Sequence, residues 1–215
     1  MAAYEVKQGD HLTKIAANFG FVDYEFIWNH PNNAALKQLR KDPHVLFPGD
    51  SLYIPDPSKR EEICATGRLH KFVLGRRQLM LRLVLEDHYE GPLARAQCEI
   101  VFSGRANPAT TDPAGKIEQL ILPSIRDGVL IIADPGTPAR NISIPIRVGD
   151  LDPVQELSGQ RARLANLGYL AGDFEQPTER HMKSAIEEFQ CDHGLTVDGI
   201  CGPNTQEKLK TVYGS

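Results

Sequence analysis

Residues 182–199 read MKSAIEEFQCDHGLTVDG and combine a helical pattern with a turn signal. Apolar side chains recur along this stretch at the i, i+3, i+4, i+7 spacing of a helix with one buried face. They are Met182, Ala185, Ile186 and Phe189. Gly194 stands where a helix that ends in a left-handed residue needs glycine, and Asp198-Gly199 predicts a tight turn. The stretch therefore predicts a helix that stops at a turn, inside a small helical domain.

Helical periods continue on both sides of this stretch, over residues 151–215. A preceding helix is predicted to place five residues near one face: Val154, Leu157, Arg161, Leu164 and Leu167. A third helix follows Pro203, and its apolar residues are Leu209, Val212 and Tyr213. Three short helices with a modest core predict a three-helix bundle.

The first 56 residues show a different order of elements. Tyr4–Lys7 alternates as a strand does, a helical period follows from Leu12, and a second strand is predicted at Ser51–Ile54. The unit Gly-Asp-x-Leu occurs at both ends of this region, and Asp10 stands where a helix N-cap is expected. The pattern predicts a βααβ module with two antiparallel strands.

Between these regions the pattern is that of strands. After a polar linker over 57–68, the leucines at 79, 81, 83 and 85 form one apolar face with a period of two. Further short apolar runs, separated by turn clusters, continue to residue 150 and predict a small all-β sandwich over 69–150. The chain as a whole is expected to be a multidomain α+β protein.

Composition excludes several classes of function. The chain has 215 residues and a net charge of −4, whereas general nucleic-acid binding needs a basic surface. No apolar run approaches the roughly 18 residues that a membrane helix needs, so we expect no membrane insertion. The N-terminus lacks the apolar segment of a secretory signal. We expect a cytoplasmic protein, or one that a secretion machine delivers to the periplasm or cell wall.

No catalytic motif is found, so we expect no enzyme and no cofactor. The sequence has no H-E-x-x-H, no G-x-S-x-G and no glycine-rich phosphate loop. Cys191, His193 and Cys201 lie close enough in sequence to be tested as metal ligands. A fourth ligand does not stand out, and we assign no metal site.

The N-terminal module resembles a LysM domain, a family that binds glycans containing N-acetylglucosamine. The matching residues are Tyr4-x-Val6-x-x-Gly9-Asp10-x-Leu12-x-x-Ile15-Ala16, Ile27-Trp28-Asn29 and Leu46-x-Pro48-Gly49-Asp50-x-Leu52-x-Ile54-Pro55. The resemblance implies a glycan groove formed by Gly9, Asp10, His11, Leu12, Asn29 and Asn32. The stretch from Asn29 to Pro48 is longer than in the usual module.

The C-terminal region resembles the three-helix peptidoglycan-binding domain that accompanies many cell-wall hydrolases. The matching residues are Leu164-x-x-Leu167-Gly168-Tyr169-Leu170, Ala185-Ile186-x-x-Phe189-Gln190 and Gly194-Leu195-x-Val197-Asp198-Gly199-Ile200-x-Gly202-x-x-Thr205-x-x-x-Leu209. This resemblance implies ligand contacts near Gln190, Asp198 and Thr205. For these three, a capped helix and a tight turn are the structural alternative.

Together the resemblances predict a non-catalytic, peptidoglycan-binding protein. The first module also resembles the LysM modules of accessory proteins in contractile injection machines, such as type VI secretion systems and phage baseplates. The residues that carry this resemblance are Trp28-Asn29-His30-Pro31 and Pro43-x-x-Leu46-x-Pro48-Gly49-Asp50. Two alternatives stay open at this point. One is an adaptor that links spike and cargo and has lost glycan binding, and the other is an accessory or enzyme of cell-wall hydrolysis.

Overall fold

The computed structural model describes residues 2–57, 63–71, 79–87, 91–133, 141–170 and 178–214. The chain divides into two compact units. The first holds Met1–His44 and Pro48–Gly149, and the second holds Val45–Phe47 and Asp150–Ser215. The mixed α+β class is confirmed. The finer division of the chain into domains at residues 56, 68 and 150 stays a prediction. Residues 58–62 of the expected linker lie outside the described part.

The N-terminal module places its helices between two strands, as the βααβ pattern predicts, and adds a 3-10 turn and a third helix. Its elements are β1 (Ala2–Glu5), α1 (Leu12–Asn18), α2 (Glu25–Trp28), a 3-10 turn (Pro31–Asn33), α3 (Ala34–Arg40) and β2 (Ser51–Ile54). Strands β1 and β2 pair antiparallel, with Tyr4 opposite Leu52. Leu12 of α1, Ile27 of α2 and Leu52 of β2 are fully buried, as expected where helices pack against strands. The long stretch after Asn29 contains the 3-10 turn and α3.

One local expectation about α1 is wrong. The N-cap is His11, not Asp10, because the His11 Nδ1 accepts the backbone N–H of Lys14 at 3.3 Å. The Asp10 carboxylate is already engaged, since it accepts the Tyr4 hydroxyl at 2.6 Å and the Lys7 backbone N–H at 3.1 Å. Asp10 thus holds the loop before the helix, and the imidazole takes over the cap.

The middle region is an all-β structure with its core between two sheets. A sheet of order β10-β9-β6-β7 contains Ile142–Arg147, Asp127–Ile132, Gln97–Phe102 and Arg105–Thr110. Two-stranded sheets pair β3 (Leu79–Val84) with β8 (Lys116–Ile121), and β4 (Glu86–Asp87) with β5 (Gly91–Pro92). Ile100 and Leu130 of the first sheet and Ile117 of β8 are buried in one cluster, against which the leucines of β3 pack. This is the predicted sandwich arrangement.

Strand β7 was not expected from its sequence. It reads Arg105-Ala-Asn-Pro-Ala-Thr110, with a proline and no run of apolar residues. The structure places β7 at the edge of the sheet, where a missing backbone N–H breaks no ladder on its free side. The tight turn at Ser103-Gly104 pairs it with β6 and fixes its register.

The C-terminal unit consists mainly of α4 (Leu157–Asn166), α5 (Glu179–Asp192) and α6 (Pro203–Tyr213). Phe189, Leu209 and Leu164 form the buried centre of its core. Arg163 is also buried, and its Nη1 donates to the carbonyls of Asp152 at 2.8 Å and Gly159 at 2.9 Å. A Cβ at position 159 would lie 2.1 Å from the Pro153 carbonyl oxygen, so only glycine lets the chain pass this close.

The predicted buried face of α4 is only partly correct. Leu164 is buried as expected, but Leu157 is 66% exposed. The buried positions of this helix include Gln160 and Arg163, because their side chains donate to carbonyl groups of the segment before the helix. Leu157 therefore faces outward, which matters for the site described below.

We expect Arg40→Met to destabilise the N-terminal module by about 3–5 kcal/mol. Nε and Nη2 of Arg40 each lie 2.8 Å from an oxygen of Asp50, and the two side chains are only 10% and 8% exposed. Removing the guanidinium takes away the cation that makes two hydrogen bonds with this buried carboxylate. Urea unfolding followed by the fluorescence of Trp28, the single tryptophan and itself 5% exposed, reports on this module.

The matched control is Arg82→Met in the exposed pair of Arg82 and Glu118, whose nitrogen and oxygen lie 3.2 Å apart. We expect that change to cost less than about 1 kcal/mol. Equal effects of the two substitutions would contradict the importance of the buried pair.

Candidate functional site

The buried amide of Gln190 organises the C-terminal region. Its Nε2 lies within hydrogen-bond distance of Asp198 Oδ1 at 2.8 Å, the Ile200 carbonyl at 3.0 Å and Thr205 Oγ1 at 3.1 Å. Its Oε1 accepts the backbone N–H groups of Asp198 and Gly199, both at 3.0 Å. The side chain is 1% exposed. It therefore ties the end of α5 to the following turn and to the first turn of α6.

This network joins all three residues that the sequence singled out in this domain. Gln190 and Thr205 are buried, and only Asp198 reaches the surface. Hydrogen bonds from the Gln190 amide and from the Ile200 backbone N–H keep the pKa of the Asp198 carboxyl below its usual range. Gln190 and Thr205 therefore have the structural roles of the alternative given above, a capped helix and a tight turn. Asp198 also belongs to the turn, but its negative charge is accessible.

The exposed surface of the turn is partly apolar. Val197 is 54% exposed and Ile200 is 64% exposed, and they flank the Asp198 carboxylate in the sequence. An apolar pair around a hydrogen-bond acceptor is suited to a sugar or peptide that presents both a CH face and polar hydrogens.

A second feature of this unit was not predicted from the sequence. A cavity of about 220 Å³ is lined by Leu157, Ser158, Arg161 and Met182. The Ser158 hydroxyl donates to Asp152 Oδ2 at 2.6 Å, which fixes the rim of the cavity. The i, i+4 spacing of Leu157 and Arg161 was visible in the sequence, but we interpreted it as a buried face.

Of the possible metal ligands, Cys191 is exposed, whereas His193 and Cys201 pack against other side chains. The His193 ring lies 4.4 Å from that of Phe189, and burial, followed by the charge of Lys208, lowers the pKa of His193. Cys201 packs against the core, where burial raises the pKa of its thiol to about 11. Among the described residues, no group of three or more His, Cys, Asp or Glu could hold a metal ion.

In the N-terminal module, the predicted groove residues from Gly9 to Leu12 are buried. Asp10 is 6%, His11 is 3% and Leu12 is 0% exposed. Burial alone would raise the pKa of the Asp10 carboxyl, but hydrogen bonds from Tyr4 and Lys14 outweigh it and hold the pKa below its usual value. Burial, and then the hydrogen bond to Asp10 and its charge, raise the pKa of the Tyr4 phenol to about 12.

The remaining predicted groove residues, Asn29 and Asn32, are exposed. Asn29 Oδ1 accepts the Lys37 ammonium group at 2.6 Å, and the backbone N–H of Asn32 donates to His30 Nδ1 at 3.2 Å. Asn29 also borders a shallow groove of about 410 Å³ beside the exposed Phe26. No described hydrogen bond joins these asparagines to Gly9–Leu12, and the glycan role of all six residues stays a prediction.

We expect Gln190→Ala to destabilise the C-terminal unit by about 2–4 kcal/mol, because it removes the partner of several buried polar groups at once. Thermal unfolding followed by far-ultraviolet circular dichroism measures the loss. Unfolding followed by Trp28 fluorescence should stay the same, because that residue lies in the other unit.

The control for this change is Gln206→Ala, which removes one hydrogen bond of 2.9 Å, from Gln206 Nε2 to the Cys201 carbonyl. We expect a cost of about 0.5–1.5 kcal/mol for it. If the two variants unfolded alike, the Gln190 network would not be the organising feature of this unit.

The comparisons with known proteins bear on the same region. Residues 159–209, about a quarter of the chain, match the family model described as "Putative peptidoglycan binding domain". The comparisons with curated proteins and with solved structures gave no match. Over the described residues, no helix is long and apolar enough to cross a membrane. The chain is thus similar, over α4 to α6, to a domain family of peptidoglycan binding.

Proposed function

We propose that this protein binds peptidoglycan through its C-terminal helical domain and does not cleave it. The observation that carries the proposal is the family match over 159–209, which spans nearly all of α4, all of α5 and the Gln190 network. The matched segment therefore contains this network, and with it the exposed carboxylate of Asp198.

The cavity beside α4 supplies a contact for the polymer. Arg161 brings a guanidinium, Ser158 a hydroxyl, and Leu157 and Met182 apolar walls. A guanidinium binds carboxylates in a fixed two-point geometry. Peptidoglycan carries carboxylates on its stem peptides, so this cavity fits the peptide part of the polymer better than a neutral sugar.

The N-terminal module is proposed as a second, LysM-like binder of glycans that contain N-acetylglucosamine. Its helices between two paired antiparallel strands support this proposal. Two weak binders on one chain would gain affinity through effective concentration, on the order of 10²–10⁴, where both can reach the same polymer. The middle β-sandwich would then act as a spacer.

A second candidate function is favoured by the burial of Gly9–Leu12. Because His11 is 3% exposed and Leu12 is fully buried, the loop that the resemblance assigns to glycan serves packing in this structure. The module would then be an interaction domain, with protein partners such as the spike or baseplate of a contractile injection machine. Delivery by such a machine would also bring a wall-binding domain to the periplasm.

The decisive experiment is co-sedimentation of the full chain with purified peptidoglycan sacculi. We expect Arg161→Ala to weaken binding about tenfold, which corresponds to the loss of one charge-assisted contact of about 1.4 kcal/mol. The control is Arg180→Ala, which removes an exposed guanidinium from α5 that does not line the cavity. That variant should bind like the unmodified protein.

Other outcomes would revise the proposal in stated ways. Equal binding by both variants would show that the cavity does not contact the polymer, but the proposal of peptidoglycan binding would stand. Absence of binding by the unmodified chain, together with capture of spike or baseplate proteins, would establish the adaptor alternative. Release of soluble muropeptides from the sacculi would show that the protein is an enzyme.

A further inference from the structure

The loop before α1 lies against the middle domain within the first compact unit. Arg126 Nη2 donates to the Gln8 carbonyl at 3.2 Å, across 118 positions of sequence. The guanidinium also covers Gly9, since a Cβ there would come within 2.7 Å of Arg126 Nε. Gly9 has a φ of +80°, so two independent constraints select glycine at this position.

The end of the β9–β10 pair brings a second segment to the same loop. The Val148 backbone N–H donates to the Arg126 carbonyl at 2.8 Å, which holds Gly149 beside Arg126. A Cβ at Gly149 would lie 3.0 Å from the Gly9 carbonyl oxygen and 3.1 Å from the His11 ring. We call this set of contacts, formed by Gln8–His11 with Arg126 and Gly149, the loop–sheet contact.

The loop–sheet contact encloses a histidine in a defined protonation state. Because His11 Nδ1 accepts the Lys14 backbone N–H, the neutral ring carries its proton on Nε2. Nε2 is buried and makes no hydrogen bond of normal geometry, although the Pro123 carbonyl faces it. A second proton would have to enter at Nδ1, where it would break the helix cap.

The charges around His11 oppose that second proton. The Lys14 ammonium and the His44 ring, whose centroid lies 6.5 Å from that of His11, are positive or can become positive. Arg126 adds a fixed positive charge from the middle domain at Gly9. The Asp10 carboxylate is the one group among them that favours protonation, and it is paired with Lys14 at 3.0 Å.

We infer that the loop–sheet contact is acid-sensitive: protonation of His11 opens it and frees the Gln8–His11 loop from the middle domain. The inference goes beyond the proposed function and does not depend on what the C-terminal domain binds.

The pH window follows from the direction of the shift. Burial, then the charges of His44 and Lys14, lowers the pKa of His11 to about 4 in the closed contact, against an ordinary value near 6.5. Above pH 6.5 the ring is neutral whether the contact is open or closed, and the contact has its full strength. Below pH 6.5 the open form gains a proton that the closed form does not accept until about pH 4. The closed form therefore loses up to about tenfold in relative population per pH unit across that window.

The test is amide hydrogen exchange of the full chain at about pH 7.5 and pH 4.5, two conditions that bracket much of the titration window of a histidine. Protection factors are corrected for the intrinsic exchange rate at each pH. We expect protection of the segment 8–15 to fall at least tenfold at the lower pH. Protection of α5 should change less than threefold, because that helix belongs to the other unit.

Variants assign the effect to the named residues. His11→Asn keeps a side-chain acceptor for the helix cap but cannot titrate, so the pH-dependent loss should shrink to less than threefold. His30→Asn is its matched control, since His30 also accepts a backbone N–H through Nδ1 but is less buried. That variant should keep the full loss.

Arg126→Ala provides a readout that does not depend on protonation. It should lower protection of 8–15 already at pH 7.5, with Trp28 fluorescence unchanged if the module itself stays folded. The inference is overturned if the unmodified protein keeps its protection at pH 4.5, or if His11→Asn loses as much protection as the unmodified chain. Unchanged exchange in Arg126→Ala would equally overturn it.

Discussion

Buried polar side chains that bind the backbone hold this protein together, because each of its small cores is closed by one of them. In the N-terminal module, the Asn33 amide donates to the Ile27 and Tyr53 carbonyls at 2.8 Å and accepts the Tyr53 N–H at 2.8 Å. In the middle domain, Thr111 joins the Leu93 carbonyl to a backbone N–H. Gln190 plays this part in the C-terminal unit.

The reason for this design is size. A domain of roughly 60 residues buries little apolar surface, so its loops cannot be held by hydrophobic contacts alone. A buried amide offers two donors and an acceptor with fixed geometry, and each unsatisfied group would be costly. One glutamine or asparagine thus fixes loops that short helices would leave loose. In the C-terminal unit, this gives the turn at Asp198-Gly199 one conformation, in which Oδ1 of Asp198 accepts from Gln190 while the residue stays exposed.

Local patterns in the sequence were sufficient to predict most elements. The apolar period of α5 and the alternation of Leu79, Leu81 and Leu83 reflect contacts with one dominant face, and such patterns survive in the sequence. Strand β7 was missed because its Pro108 is tolerated only at a sheet edge, and strand order is not a local property. The exposure of Leu157 was missed because Arg163 takes a buried position on α4. Its guanidinium donates to carbonyls of the segment before the helix, and backbone carbonyls leave no apolar pattern in the sequence.

The candidate site, too, was predictable where it depends on local sequence, and not where it depends on residues far apart in the chain. The sequence singled out Gln190, Asp198 and Thr205 together, but it did not show that two of them point inward. The contact of Arg126 with Gln8 depends on residues 118 positions apart, and an isolated arginine before a strand carries no motif. The N-cap at His11 was missed because aspartate is the more common cap, and Asp10 proved to be occupied by Tyr4 and Lys7.

The turns at Asp10 and Asp198 differ in what a ligand would have to displace. Asp10 is 6% exposed and already holds Tyr4, Lys7 and Lys14, so a ligand that used it would have to break three contacts, one of them an ion pair. Asp198 has an exposed side chain whose orientation is fixed from below by Gln190, so a ligand can approach it without rearranging the fold. A preorganised contact costs little on binding, whereas an occupied one must first be vacated. On the proposed function, the C-terminal turn thus offers a preorganised polar contact beside that of the α4 cavity, whereas a ligand at the N-terminal loop would first have to displace the loop's own contacts.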